Sequence, residues 1–451
     1  MAKVEQFPDQ SGENGITDNI KDQKTREIFG TGRRQGNSAM PDDSLLMGSS
    51  TGQNSAREPA GEKTADQGKK PTYKEQIKKH RDRIRIYRIF GALIAVIAVL
   101  LTVLFFTTRH YNRAEIVKVR DFPAEEGAVC VNFDGRVLQY GPNGATCADA
   151  NGRVRWSITY EMDQPIVSMS GGVAAIADYG GTTIYVMSVK KQLYTVNTSI
   201  PIHKVGVSES GGVAAILNDS TKSWIRLYSK EGKEIAYFIR SMEENGFPMD
   251  VAVSPDGEKV CVSSLLMKDD SVVSNLSFYN FGKAGKKYDQ NLVGYFEYTN
   301  EVFPYVKFLG NKSCAAASDS RLVVFDTSAV EPQNSFNNML TENLQGIFES
   351  ENRIGLLFTD LTRENLYRLD LFGRDGKKEG SVGFTLVYND IQIKGNKVYI
   401  NNERSMQIYT VNGREIFNGG FDRAVKVLIP SKVLRGLGAV SENEIDKIKL
   451  R

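Results

Sequence analysis

The 451-residue chain is poor in the side chains that do most enzyme and metal chemistry. It has three histidines, four cysteines and two tryptophans. So few histidines leave little for a multi-ligand metal centre, and so few cysteines exclude a disulfide-stapled scaffold. No HExxH, CxxC, P-loop or EF-hand pattern occurs. An excess of charge of one sign is also missing: 57 Lys and Arg stand against 54 Asp and Glu, for a net charge of +3. Long apolar runs are absent with a single exception, which excludes a polytopic membrane protein. What is present is ordinary globular composition, 41% hydrophobic and 25% charged, over a length sufficient to bury a large core.

The balanced charge is unevenly distributed. Residues 1–68 carry a net −3, residues 69–88 a net +7, and the remainder a net −1. The first segment has two aromatic residues, Phe7 and Phe29, and is rich in Gly, Ser, Asn, Asp and Gln. Too little apolar surface is available there to offset the entropy of ordering, so 1–68 reads as a disordered tail.

The one long apolar run is 89–108, IFGALIAVIAVLLTVLFFTT, uncharged and polar only at three threonines. As a helix its 20 residues span about 30 Å, the thickness of a bilayer core. A cleaved signal peptide would begin near residue 1 and carry a shorter apolar segment. The reading is therefore a single transmembrane helix over 89–108. Before it stand nine cations, including Lys78, Lys79, Arg81, Arg83, Arg85 and Arg88; after it, through Arg120, stand four. That asymmetry places the N-terminus in the cytoplasm and the following domain outside it. Within the basic segment 69–88 the stretch YKEQIKKHRDRIRIYR (73–88) is expected to continue the helix, its cations facing anionic lipid headgroups, so membrane lipid is the expected partner of residues 69–108 and nucleic acid is not.

Residues 115–451 repeat. VSMSGGVAAI (167–176) returns as VSESGGVAAI (207–216) 40 residues on, as VSPDGEKVCV (253–262) after 46 more, and as GNKSCA (310–315). Weaker echoes begin at Asn352 and Gly395. A second phrase, strand, polar-Gly turn, strand, follows each copy, as in IRLYSKEGKEI (225–235), LDLFGRDGKKEG (369–380) and MQIYTVNGREI (406–416). Such turns between alternating runs signal hairpins. Two hairpins per unit make a four-stranded antiparallel sheet, and tandem sheets of that size are β-propeller blades. The predicted fold is all-β, a propeller preceded by one helix and the tail. A long sandwich would not require the repeat. From 120 to 450, eight blades of about 41 residues fit the usual repeat length better than seven, which stays open. Starts fall near 128, 165, 205, 248, 303, 344, 388 and 424. The last unit has about three strands, and Glu115 to Arg120 could supply the fourth and close the ring.

In this register Cys261 and Cys314 share one slot with Ala175 and Ala215, a small core position. Cys130 and Cys147 fall on non-adjacent strands, too far apart to bridge easily. Free, buried thiols are expected. His203 has no second histidine or cysteine beside it and reads as structural. Asp134, Asp256 and Asp375 read as turn formers. Trp156 and the many Tyr and Phe residues read first as blade packing. Four Asn-x-Ser/Thr sites, at Asn197, Asn218, Asn275 and Asn311, matter only where the host glycosylates them.

The repeated phrases resemble the quinoprotein-like, or PQQ-like, propeller repeats and more loosely WD40 repeats. The layout over residues 70–451 resembles a bacterial family of single-pass propeller proteins of unknown function, seen mainly in Gram-positive anaerobes. That resemblance implies a cell-surface location and no assigned reaction. Quinoprotein dehydrogenases of the superfamily carry an adjacent Cys-Cys pair, which this chain lacks. No cofactor, metal or catalytic residue is therefore expected. The leading expectation is a membrane-anchored extracytoplasmic binding or scaffold module with a protein or cell-wall partner. A degenerate quinoprotein-like or hydrolytic enzyme with its site in the channel, or a transmembrane sensor, is the alternative.

Overall fold

The computed structural model describes residues 73–451, apart from 109, 112, 124, 126, 220–221, 242, 244, 361–364 and 431–435. The 1–68 tail lies outside the described residues. The first element, α1 (Tyr73–Thr108), is one continuous helix. It joins the basic stretch to the apolar run, since no proline falls between Tyr73 and Thr108 to stop it. Its segment His80–Thr102 is long and apolar enough to cross a membrane, and none of it is buried against the rest of the chain.

After Arg113 the regular structure among the described residues is β, apart from two short 3-10 turns at Gly285–Lys287 and Asp289–Asn291. Eight four-stranded antiparallel sheets follow, at 129–159, 165–197, 202–241, 247–299, 305–339, 344–384 and 390–420, with the eighth at 427–450. These are blades 1 to 8 of an all-β propeller, and the seven-blade count is excluded. In blades 1 to 7 the strands pair in chain order, innermost to outermost. Blade 8 holds three C-terminal strands and takes its outermost strand from Ala114–Asp121, paired with Glu444–Leu450 in the register Ala114 to Leu450, Ile116 to Ile448 and Asp121 to Glu444. The two ends of the β-domain thus close the ring through one sheet.

The core is not a single mass. Eight buried clusters lie between consecutive blades, and each draws on two of them. Between blades 4 and 5, for example, Phe303, Phe308 and Phe325 pack with Leu276 and Phe278. Blade 8 meets blade 1 through Phe122, Val137, Ala148, Ile429, Val440 and Ile445, so closure buries apolar surface as well as pairing backbone. Trp156 packs between blades 1 and 2, and its indole N–H donates to the Ser188 carbonyl at 2.8 Å.

All four cysteines are free. Cys147, Cys261 and Cys314 are fully buried, as the repeat register predicts. Cys130 departs from that expectation: it is half-buried, because it lies at the closure seam. Cys261 and Cys314 share more than an equivalent slot. They lie in the same cluster between blades 4 and 5, and burial together with the neighbouring Cys314 thiol pushes the Cys261 thiol well up.

Candidate binding faces and channel

The inner strands all run in one direction around the ring, so its two faces are built from different turns. On the start face, where the inner strands begin, lie the turns between second and third strands and the links from each outer strand to the next blade. On the end face lie the hairpins joining inner to second and third to outer strands. Local sequence sets each turn. In Ser254-Pro-Asp-Gly-Glu258, for example, the Ser254 and Glu258 groups donate to the Asp256 carboxylate at 2.5 and 3.1 Å, and Gly257 takes φ +81°. Asp375 likewise accepts from the Lys377 backbone at 3.1 Å, and Asp134 sits at φ 46°.

Sorting the connecting segments by face separates the charge. Among the described residues, start-face connections hold fourteen acids and three bases, whereas end-face connections hold ten acids and thirteen bases. The near-neutral domain is therefore a polar disc with one strongly acidic side. Glu161, Asp163, Asp269, Asp270, Glu342 and Glu403 stand exposed on the start face. Exposed apolar side chains sit among them: Met267, Val302, Met339, Leu366 and Val387. So does an aromatic row contributed by three consecutive blades, in which His203 lies 5.4 Å from Tyr179 and 5.3 Å from Phe247, ring centre to ring centre. Burial and the adjacent Lys204 hold the His203 imidazole below its ordinary pKa, so it is a neutral packing group here, as its sequence context predicts.

The channel between the inner strands is bridged by polar links. Lys204 lies 3.3 Å from Asp250, whose other oxygen accepts the Val306 N–H at 2.9 Å. Burial pushes the Asp250 carboxyl up in spite of Lys204. Lys307 pairs with Glu349 at 2.8 Å, and the Tyr305 hydroxyl donates to Glu349 at 2.6 Å. Two links pass blade 8 and join blade 1 to blade 7: the Asn132 amide donates to Gln392 at 2.9 Å, and Lys394 reaches Asp134 at 3.4 Å while also meeting Glu351 of blade 6 at 3.1 Å. Each carboxylate named here meets a cation or a donor, Asp134 and Glu351 sharing Lys394. At the seam, a cavity of about 280 Å³ is lined by Cys130, Lys426 and Glu442 among apolar neighbours. Burial raises the Cys130 thiol there, against the opposing pull of Lys426. Among the described residues no group of three or more His, Cys, Asp or Glu is placed to hold a metal ion.

The cations singled out in the sequence, Lys78, Lys79, Arg81, Arg83, Arg85 and Arg88, all lie on α1, and the described side chains among them are exposed. Of the four Asn-x-Ser/Thr sites, Asn197 and Asn311 are exposed, Asn218 is half-buried and Asn275 is fully buried, which removes Asn275 as an acceptor in the folded domain. The polarity of the two faces was not anticipated. Its signal was present in pairs such as Asp269-Asp270, Lys190-Lys191 and Lys286-Lys287, but it becomes readable only once each turn is assigned to a face.

Comparison with known proteins places the chain in a family without giving it an activity. Residues 107–450 match DUF5711, a family of unknown function, and the chain belongs to that family. No curated protein matches its sequence. Among solved structures it is similar to BamB from Moraxella catarrhalis, with TM-score 0.45, 11% identity, and coverage of 75% of this chain and 100% of that one. It is also similar to the dihydro-heme d1 dehydrogenase NirN, with TM-score 0.41, 14% identity, and coverage of 60% and 58%. A third similar structure is Raptor from Chaetomium thermophilum, with TM-score 0.41, 11% identity, and coverage of 77% and 29%.

Proposed function

We propose that this member of the DUF5711 family is a membrane-anchored binding scaffold whose acidic start face receives a basic protein partner. The carrying observation is that face itself: fourteen acids against three bases in its described connections, with apolar side chains exposed between them. Charge of one sign spread over a face steers an oppositely charged partner to it, and apolar groups inside a charged rim supply affinity once the partner arrives. Helix α1 anchors the chain in the cell membrane. The nine cations before the apolar run against four after it orient the chain with its N-terminus in the cytoplasm and its propeller outside.

Two measurements test this. Protease treatment of intact cells should digest the propeller and spare the first 88 residues; digestion of the tail alone overturns the orientation. For the partner, the full chain is cross-linked in cells and recovered in detergent, and its companions are identified by mass spectrometry. A basic protein should be recovered, and recovery should fall about tenfold when Asp269, Asp270 and Glu342 are changed to lysine. Undiminished recovery from that variant removes the start face as the binding surface.

A further inference from the structure

We propose that the end face of the propeller lies against an anionic phospholipid surface, so that the disc is held flat on the membrane with its acidic side outward. This rests on the reading of α1 as the anchor.

Three observations lead here. First, the chain reaches the propeller on this face. The outermost strand of blade 8, Ala114–Asp121, begins at the end face because it runs antiparallel to Glu444–Leu450, which finishes there. Second, the approach is short and pinned. The Tyr111 N–H donates to the Ile416 carbonyl at 3.0 Å, His110 lies 3.7 Å from Glu415, and Arg113 and Arg451 exchange backbone hydrogen bonds of 3.1 and 2.8 Å. Glu415 and Ile416 open the outer strand of blade 7, again at the end face. From Thr108, the last residue of α1, to Tyr111 an extended chain covers at most about 10 Å. The rim of the end face is thus held about one Debye length from the end of the anchor.

Third, the charge on this side fits lipid. Lys190, Lys191, Lys283, Lys286 and Lys287 are exposed, and among the described residues no acid pairs with them. Three of them sit in 281–291, the longest described hairpin of the ring, on two short 3-10 turns at Gly285–Lys287 and Asp289–Asn291. Several acids of the face are meanwhile engaged: Asp134 and Glu351 by Lys394, and Asp149 by Arg155 at 2.7 Å. Lysine is a flexible, strongly hydrated point charge suited to headgroup contact, and a polybasic surface beside a transmembrane segment gains attraction from every cation within screening distance. The acidic start face, at the opposite end of the inner strands, is turned away from the same headgroups by repulsion.

The test uses the full chain in nanodiscs of phosphatidylcholine alone or with phosphatidylglycerol. A water-soluble amine reagent labels lysines, and mass spectrometry reads each site. Lys190, Lys191, Lys286 and Lys287 should label about threefold more slowly in the anionic discs, and roughly half-molar salt should remove the difference. Lys222 and Lys268, on the start face, should label equally in both. Insertion with equal end-face labelling overturns this proposal and leaves the anchor standing. Failure of the chain to enter either disc overturns the anchor and this proposal with it. A Lys286→Glu/Lys287→Glu chain that inserts and keeps its melting temperature should lose most of the protection at Lys190 and Lys191; full protection in that chain also overturns the proposal.

Discussion

The two faces of the ring share the same blades, and yet one carries fourteen acids against three bases in its described connections and the other ten against thirteen. Nothing in the strands demands this. Strand residues alternate toward the neighbouring blades and are occupied by packing, whereas turn residues need only suit the backbone and are free to carry charge. A propeller therefore separates its tasks by position: fold in the strands, recognition in the turns. The chain adds an asymmetry by entering at the basic face.

The largest test of this comparison is to remove the frame that both faces share. Ile116 is 6% exposed and packs with Met406, Ile408, Leu428 and Ile448 across blades 7 and 8. Ile116→Asp buries an unpaired carboxylate in the sheet that closes the ring, and should cost about 4 kcal/mol or more. Val119, on the same strand, is 38% exposed, and Val119→Asp should change stability little. Denaturant unfolding of the full chain in detergent separates them. Equal losses would mean that the ring does not depend on this strand.

A smaller effect isolates the end face. Gly376 sits in a hairpin of blade 6 at φ +77°, and a Cβ there would lie 2.4 Å from the Phe336 ring of blade 5. Gly395 also lies in an end-face hairpin, at φ +58°, with nothing within 4 Å of such a Cβ. Alanine at 395 should cost about 1 kcal/mol, for the left-handed backbone alone. Alanine at 376 should cost about 1–2 kcal/mol more, because a half-buried, packed ring must shift. Melting temperatures in the same detergent give the order, and the reverse order would break the distinction between strain and collision.

The repeat made most of the fold legible in advance. Eight units could be placed because strand-turn-strand phrases recur along the domain, two of them as VSxSGGVAAI, and the closing strand expected at Glu115 to Arg120 is observed at Ala114–Asp121. That inference worked because an orphan three-stranded sheet needs a fourth strand and the only unassigned β-like segment lay just after the apolar run. The faces were far less legible. Asp269 and Lys286 look alike in sequence, each an exposed charge in a turn, and only the handing of strands from inner to outer sends them to opposite sides. The contact between Cys261 and Cys314 escaped for the same reason: equal slots in consecutive blades become neighbours only when the blades pack face to face.

The smallest predicted effect sets an end-face carboxylate against one in the channel wall. At Asp149 burial alone would raise the carboxyl, but the Arg153 and Asn151 backbone N–H groups and the Arg155 guanidinium outweigh it and hold the pKa below the ordinary value. Asp149 therefore stabilises the fold above its unfolded pKa, and that contribution is lost as pH falls through the lowered folded one. Asp250 behaves in the opposite sense. Its burial outweighs Lys204 and the Val306 N–H, so its pKa is raised. Ionised Asp250 is then a net cost at neutral pH, and the cost is relieved as pH falls through the raised folded value. Asp149→Asn should therefore melt below the unsubstituted chain at pH 7 and converge on it only below pH 4, where the lowered folded pKa lies. Asp250→Asn should compare best with the unsubstituted chain at pH 7 and lose ground as the pH falls. Each change is on the order of a degree or two in melting temperature. Two differences that move with pH in the same direction would show that the channel wall and the end-face turn do not treat their carboxylates differently.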